Sequence, residues 1–277
     1  MKFKKLILAL LMFCFATTLG GCGCSKEKEK KKESSEETST KSESKTKLGS
    51  FVTTGVVKDQ LEKPGKGEEI VSMTVKNFGT VKFRLFPEVA PNAVKNFKQF
   101  IKDGRYNGST FHRVIKGFMI QAGREADEKG EKVQSQVELN PTVHHFNGAL
   151  CLARSYDKAK GQGCQFYIVN SDEGKKVDFN AIKEKTNSTY KADGLDIKID
   201  FDEATQKTYK EKGGAPSLDG LYTVFGQVIE GMEVVNKISD VPKKSKEEAK
   251  KSGQDNQEEN SVPKDPVVIE KMEVTKL

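Results

Sequence analysis

The chain has 277 residues, of which 31% are charged and 35% hydrophobic, with a formal net charge of +7. That length suits one globular domain with leader segments, and the lysines are interleaved with glutamates without a basic stripe carrying aromatics, which excludes a nucleic-acid-binding protein. The three histidines, His112, His144 and His145, show no ligand spacing, and adjacent histidines in a strand face opposite sides, so no metal site is expected.

The opening "MKFKK" and the apolar run "LILALLMFCFATTLG" read as an export signal, too short and too near the terminus for a spanning helix. It ends in "LGGC", where Leu19, Gly20 and Gly21 ahead of Cys22 resemble the lipobox of bacterial lipoproteins. In such proteins the cysteine thiol takes a diacylglycerol. The alternative is a plain secretory signal cut nearby, with Cys22 left as an ordinary thiol. Cys24 fits less well, because the residue three positions before it is glycine. Two acyl chains anchor stably where one binds only marginally. The expected location is therefore the extracytoplasmic face of a cell membrane, with a Gram-positive surface and a periplasm both open. "SKEKEKKKESSEETSTKSESKTKLGS" has almost nothing to bury and cannot offset the entropy of ordering. The expected organisation is a signal peptide over 1–21, a lipidated cysteine and disordered tether over 22–65, and a domain over 66–277.

Within that domain "EEIVSMTV" alternates through Val71, Met73 and Val75, and "GTVKFRLF" through Val81, Phe83 and Leu85, so both read as half-buried strands joined by a turn. "APNAVKNFKQFIKDG" changes period: Ala93, Val94, Phe97, Phe100 and Ile101 share one face of a helix that Pro91 opens and Gly104 closes. Strand-like runs return at "TFHRVI", "FMIQ", "ALCLA", "QFYIVN" and "TVFGQV". A second short helix is expected at "MEVVNKIS", and "PVVIEKMEV" is the last strand. Many short strands with two principal helices argue for a closed antiparallel barrel rather than βαβ units.

Two charged insertions interrupt the pattern. Residues 171–215 include an amphipathic helix at "FDEATQKTYKEKGG", and residues 242–265 read as a solvated loop. Cys151 and Cys164 sit in apolar runs and read as small buried hydrophobes, with a disulfide between them as the alternative.

Arg113 poses the functional question, because it stands among Phe111, Val114, Ile115, Phe118, Met119 and Ile120. A charge beside so much apolar surface is costly unless it is paired, wet or used. "FHRVIKGFMIQAG", followed in order by "ALCLA", "CQFYIVN" and "LDGLYTVFGQVIEGMEVV", resembles the cyclophilins, peptidyl-prolyl cis–trans isomerases, over roughly residues 67–240 and the final strand. The resemblance implies a mostly-β fold, an eight-stranded antiparallel closed barrel capped by two α-helices. It also implies an enzyme without cofactor or metal that acts on proline-containing polypeptides as a monomer. A non-catalytic cyclophilin-like adhesin or holdase is the rival reading.

The chemistry agrees with the resemblance. Isomerising an Xaa-Pro bond needs no nucleophile, base or metal; it needs a donor aimed at the proline nitrogen and an apolar slot for the ring. Arginine, always charged and carrying a planar fork of donors, suits the first task. Carried over by position, Arg113 and Gln121 are the catalytic pair, and Phe118, Met119, Tyr167 and Leu218 surround the ring. The backbone at Ala153 and Arg154 binds the residue before proline, and Gln165 and Phe166 line the groove. Tyr222 stands where the family often has a histidine, Ser217 where it often has a rim tryptophan, and Tyr167 where phenylalanine is usual. His112 reads as structural or solvent-facing rather than as a proton carrier. The loop "READEKGEKVQSQ" replaces a Gly/Thr-rich one, which leaves peptide preference beside the ring pocket open. The rim change at Ser217 implies weak binding of the family inhibitor cyclosporin.

Overall fold

A computed structural model describes residues 50–124, 135–154, 162–192, 198–253 and 260–277. The expected signal peptide, Cys22 and the expected tether as far as residue 49 lie outside the described residues, as do residues 125–134 of the altered loop.

The alternation of β2 (Glu69–Val75) and β3 (Gly79–Leu85) produces the expected hairpin. Val71 lies opposite Phe83 and Met73 opposite Val81, all fully buried on one face. Six further strands complete the sheet: β4 (Phe111–Ile115), β5 (Met119–Ala122), β7 (Ala149–Arg154), β8 (Gln162–Val169), β9 (Val224–Glu230) and β10 (Ile269–Lys276). Their order is β10-β2-β3-β9-β7-β8-β5-β4, and every pairing is antiparallel.

The sheet curls, but its ladder does not run on from β4 to β10. Those edges meet through flanking residues, where Thr110 bridges Val268 and the Gly108 N–H donates to the Ile269 carbonyl at 2.8 Å. Pro263 and Pro266, in the stretch leading into β10, lack the N–H that a longer ladder would use. The expected closed barrel is therefore corrected to an eight-stranded half-barrel, open along this seam.

Two helices fill the concave side. In α1 (Pro91–Lys102) the residues Ala93, Val94, Phe97, Phe100 and Ile101 are buried, and α4 (Met232–Ser239) adds Val234, Val235 and Ile238 to the same core. Phe97 packs edge-on against Phe225 at 4.9 Å and Phe166 at 5.5 Å between ring centres. Ala90 has no side chain to cap α1. The buried Glu138 carboxylate does so instead, accepting the N–H groups of Asn92 at 3.1 Å and Ala93 at 2.8 Å. An anion at this end of a helix contributes about 0.3–1 kcal/mol.

Packing corrects two sequence expectations, the end of the tether and the solvated 242–265 loop, and bears out the helix expected in the 171–215 insertion. Residues 50–65, assigned to the tether, belong to the domain. The strand β1 (Ser50–Val52) pairs in parallel with β6 (Val137–Leu139), Val57 is buried, and the Gln60 side chain donates to the His144 carbonyl at 2.7 Å and to Gln227 at 3.0 Å. The 171–215 insertion has its own apolar centre. Phe179 of α2 (Phe179–Ala192) and Tyr209 of α3 (Glu203–Lys212) pack with Ile199 and Phe201 against Val137, Leu139 and Phe146. Residues 242–265 contain a capped helix, α5 (Lys246–Lys251), and a buried end at Ser261 and Val262, where the Val114 N–H donates to the Ser261 carbonyl.

Candidate active site

Successive strand residues face opposite sides of a sheet, so register decides which side chains meet. Arg113 lies opposite Gln121, Gln121 opposite Tyr167, and Tyr167 opposite Cys151, which lines up one row across β4, β5, β8 and β7. Beside it Ile115 lies opposite Met119, and Met119 opposite Val169. The intervening residues Ile120, Ala122, Phe166, Ile168 and Leu150 face the helix-filled core. The site therefore sits on the outer face of the sheet.

An apolar cluster covers that face. Met119, Cys151, Tyr167, Val169 and Val224 are buried in it, and Phe118, Ala153, Leu218 and Tyr222 are half-buried at its margin. Phe118 is placed by the β4–β5 turn. Gly117 adopts φ +75°, the left-handed region glycine enters without strain, the Phe118 N–H donates to the Ile115 carbonyl at 3.1 Å, and the Phe118 carbonyl accepts from Asn170 at 2.9 Å. The Tyr222 ring stands edge-on to Tyr167 at 6.0 Å. The ring-binding residues expected from sequence thus belong to one cluster.

A polar line runs along its edge. The Arg113 guanidinium Nη1 donates to Gln121 Oε1 at 3.4 Å and contacts Met119 Sδ at 3.9 Å, and Gln121 Nε2 donates to Gln165 Oε1 at 3.0 Å. All three polar side chains are half-buried. The arrangement presents a fixed cation, held by an amide relay, against apolar surface. Arg154 is also half-buried at the end of β7, with its guanidinium donating to the Leu221 carbonyl at 3.3 Å.

One expected groove residue faces elsewhere. Phe166 is fully buried in the interior core beside Phe97 and Tyr106, because its odd-numbered neighbours Gln165 and Tyr167 take the outer face. Ser217 lies in a short 3₁₀ turn, Pro216–Leu218, and its hydroxyl donates to Glu173 of the insertion at 2.9 Å. Burial raises the Glu173 carboxyl above its ordinary range. His112 is buried rather than solvent-facing. Cys151 faces the outer cluster and Cys164 the interior core, and no disulfide joins them.

The histidine pair departs from the strand-based expectation. His144 and His145 lie in an irregular segment before β7, and their Nδ1 atoms both reach Asp219, at 2.8 Å and 2.7 Å. The His145 backbone N–H and the Tyr209 hydroxyl, each at 2.8 Å, complete four donors on this buried carboxylate. Burial acts to raise the Asp219 carboxyl, but His144 and His145 together outweigh it and hold the group well below the usual carboxylate range. No local motif announces this centre, since Asp219 lies 75 and 74 residues from its two histidines. Among the described residues no group of three or more His, Cys, Asp or Glu is arranged to hold a metal ion.

Comparison with known proteins identifies the family of the chain. The family model described as "Cyclophilin type peptidyl-prolyl cis-trans isomerase/CLD" matches residues 70–274. A candidate peptidyl-prolyl cis–trans isomerase of Staphylococcus saprophyticus is 36% identical over 185 residues, covering 65% of this chain and 86% of its own. Counterparts in Staphylococcus aureus and Staphylococcus epidermidis are 35% and 37% identical with the same coverage. A Cryptosporidium parvum cyclophilin-type isomerase, crystallised in the presence of the dipeptide Ala-Pro, shares the fold with a TM-score of 0.50 at 23% identity, covering 75% of this chain and 99% of its own. The chain belongs to the cyclophilin-type peptidyl-prolyl cis–trans isomerases.

Proposed function

We propose that this chain accelerates folding of secreted or surface polypeptides by isomerising Xaa-Pro bonds at the outer-face groove, from a lipid anchor on Cys22. The observation that carries the site assignment is the row Arg113–Gln121–Tyr167, which sets a guanidinium held by an amide beside a buried aromatic floor. Phe118, Met119, Tyr167 and Leu218 hold the imino ring, with Tyr222 at the rim. The backbone at Ala153 and Arg154 holds the preceding residue, and Gln165 lines the groove.

Amide resonance sets a rotational barrier of about 18–20 kcal/mol. As the bond twists, the proline nitrogen becomes pyramidal and regains its lone pair. Arg113 donates to that lone pair, an interaction absent from the planar ground state, so it lowers the barrier rather than only tightening binding. A rate gain of roughly 10⁵ needs about 7 kcal/mol. One charge-assisted hydrogen bond contributes about 1.5–3 kcal/mol, so the remainder comes from preferential binding of the twisted bond in a preorganised site. Gln121 supplies preorganisation by fixing the guanidinium.

The anchoring half of the proposal rests on "LGGC" and the charged segment after it. About 25–30 residues of coil reach roughly 30 Å, which lets the domain stand off the membrane toward emerging chains. Proline isomerisation takes tens of seconds or longer and limits refolding of such chains, which gives the enzyme its use there. Turnover of a proline tetrapeptide by the full chain tests the isomerase reading. Peptide binding without turnover would instead support a non-catalytic adhesin or holdase.

A further inference from the structure

A tyrosine hydroxyl beneath an apolar slot costs free energy unless it finds a partner. Tyr167 is 5% exposed and its ring lies in the outer-face cluster, and its hydroxyl reaches His145 Nε2 at 3.1 Å. The two rings are nearly parallel, with 13° between their planes and 6.2 Å between centres. The Cys151 thiol is the hydroxyl's other polar neighbour.

What fixes His145 lies outside the groove. Asp219 Oδ1 accepts from the backbone N–H and the Nδ1–H of His145, at 2.8 Å and 2.7 Å. Its Oδ2 accepts from His144 Nδ1 and the Tyr209 hydroxyl, both at 2.8 Å. A carboxylate has about four lone-pair sites, so Asp219 is saturated and can only accept. Both histidines then carry a proton on Nδ1, and in the neutral tautomer the fully buried His145 Nε2 is the acceptor for the Tyr167 hydroxyl. Tyr209 comes from the insertion. The backbone leaving α3 also presses on His145: the Ala215 N–H donates to its carbonyl at 2.8 Å, and a Cβ at Gly214 would lie 2.3 Å from that same oxygen.

We propose that His145 is a positioning residue for the peptide groove: oriented by Asp219 and braced through Tyr209 by the 171–215 insertion, it holds the Tyr167 hydroxyl and so sets the height and tilt of the floor under the proline ring. This rests on the reading of Tyr167 as that floor. The insertion is then an internal support for the slot. Burial raises the hydroxyls of Tyr167 and Tyr209 well above their ordinary range, which keeps both as donors.

The test compares two substitutions in the full chain. Asparagine at 145 can donate to Asp219 from the place of Nδ1 but cannot reach Tyr167, whereas glutamine carries an amide oxygen out to the place of Nε2. His145→Asn should lower kcat/KM on a proline tetrapeptide about tenfold, mostly through KM, because a displaced floor weakens planar and twisted peptide alike. His145→Gln should stay within about twofold of the parent. In a Tyr167→Phe background the cost of His145→Asn should vanish, since no hydroxyl remains to be held. An equal loss in both backgrounds, or equal losses for Asn and Gln, would show a purely structural role and overturn the proposal. Should His145→Asn fail to fold, ¹⁵N NMR of the unmodified chain decides. An Nδ1–H tautomer with a slowly exchanging Tyr167 hydroxyl proton close to Nε2 supports the proposal, and a protonated Nε2 overturns it. If the unmodified chain turns over no proline peptide, the isomerase reading itself has failed; tetrapeptide affinity of the same variants then carries the test.

Discussion

Arg113 and Gln121 face each other directly across the β4–β5 hairpin, and the guanidinium donates to the amide oxygen at 3.4 Å. The cation's place is therefore set by strand register as much as by its own rotamer. Arg113→Ala should lower kcat/KM on a proline tetrapeptide more than tenfold, consistent with loss of about 1.5–3 kcal/mol of transition-state stabilisation. Thermal stability should hardly change, because the side chain lies at the groove surface. Arg113→Lys should restore little, since a point charge cannot reproduce the planar fork. Near-parental turnover of Arg113→Ala would remove Arg113 from the mechanism.

The proposed anchor makes a separate prediction. Cys22→Ala should release the protein from the membrane fraction or block its processing, while Cys24→Ala should do neither. Labelled fatty acid still entering the Cys22→Ala protein would place the lipid elsewhere.

Ser217 is joined to Glu173 rather than offering a flat aromatic contact. A lost rim anchor of tryptophan size typically costs about 2–4 kcal/mol, roughly 30- to 1000-fold in affinity. The expected result is an active isomerase that cyclosporin inhibits poorly. Ser217→Trp should tighten inhibition more than it raises turnover, even though it frees the half-buried Glu173. Nanomolar inhibition of the parent chain in the same titration would contradict this account of the rim.

Asp219 gives the fold an acid-side dependence. Its folded pKa lies below the unfolded value of about 3.9, so the unfolded chain binds more protons in acid. The stabilisation is therefore complete above about pH 4 and is lost as pH falls toward the folded pKa. Asp219→Asn should cost about 3 kcal/mol at neutral pH by leaving buried donors poorly matched, and should flatten the slope of stability below pH 4. Denaturant midpoints across pH 2–7 for both proteins check the sign. An unchanged acid slope would mean the slope arises from other carboxyls.

The docked segment before β2 is testable by truncation. Removing residues 1–49 should leave Tm unaltered. Removing residues 1–60 deletes the buried Val57 and Gln60 and the strand pairing of β1 with β6. Burial of one valine alone contributes about 1.5–3 kcal/mol, so Tm should fall by roughly 4–8 °C. Equal melting of the two truncations would return this segment to the tether.

Local pattern determined much of this protein. Period-two alternation placed β2, β3 and the strands around Arg113. Helical spacing placed α1 and α4 within two residues of their observed ends, and "FDEATQKTYKEKGG" contains α3. Phe118, Met119, Gln121, Tyr167 and Leu218 were named by the cyclophilin resemblance; strand spacing itself added only that Met119 and Gln121 share a face. The capping box of α5, Ser245 with Glu248, was also written in the sequence but lay hidden in a charge-rich stretch. Tertiary structure alone decided the rest. The pairing of β1 with β6 joins residues more than eighty positions apart, and a three-residue strand carries too little pattern to announce itself. Phe166 looks like groove from its neighbours, and only register against Ala122 and Leu152 turns it into the core. The half-barrel's unclosed ladder is set by how β4 meets β10, through Thr110 and Gly108 rather than along the length of the strand. Asp219, His144, His145, Tyr209 and Tyr167 come from four separated stretches of chain; the saturation of the Asp219 carboxylate by His144, His145 and Tyr209, and the link from His145 to Tyr167, exist only after folding, because hydrogen bonds between distant residues leave no periodicity in a sequence.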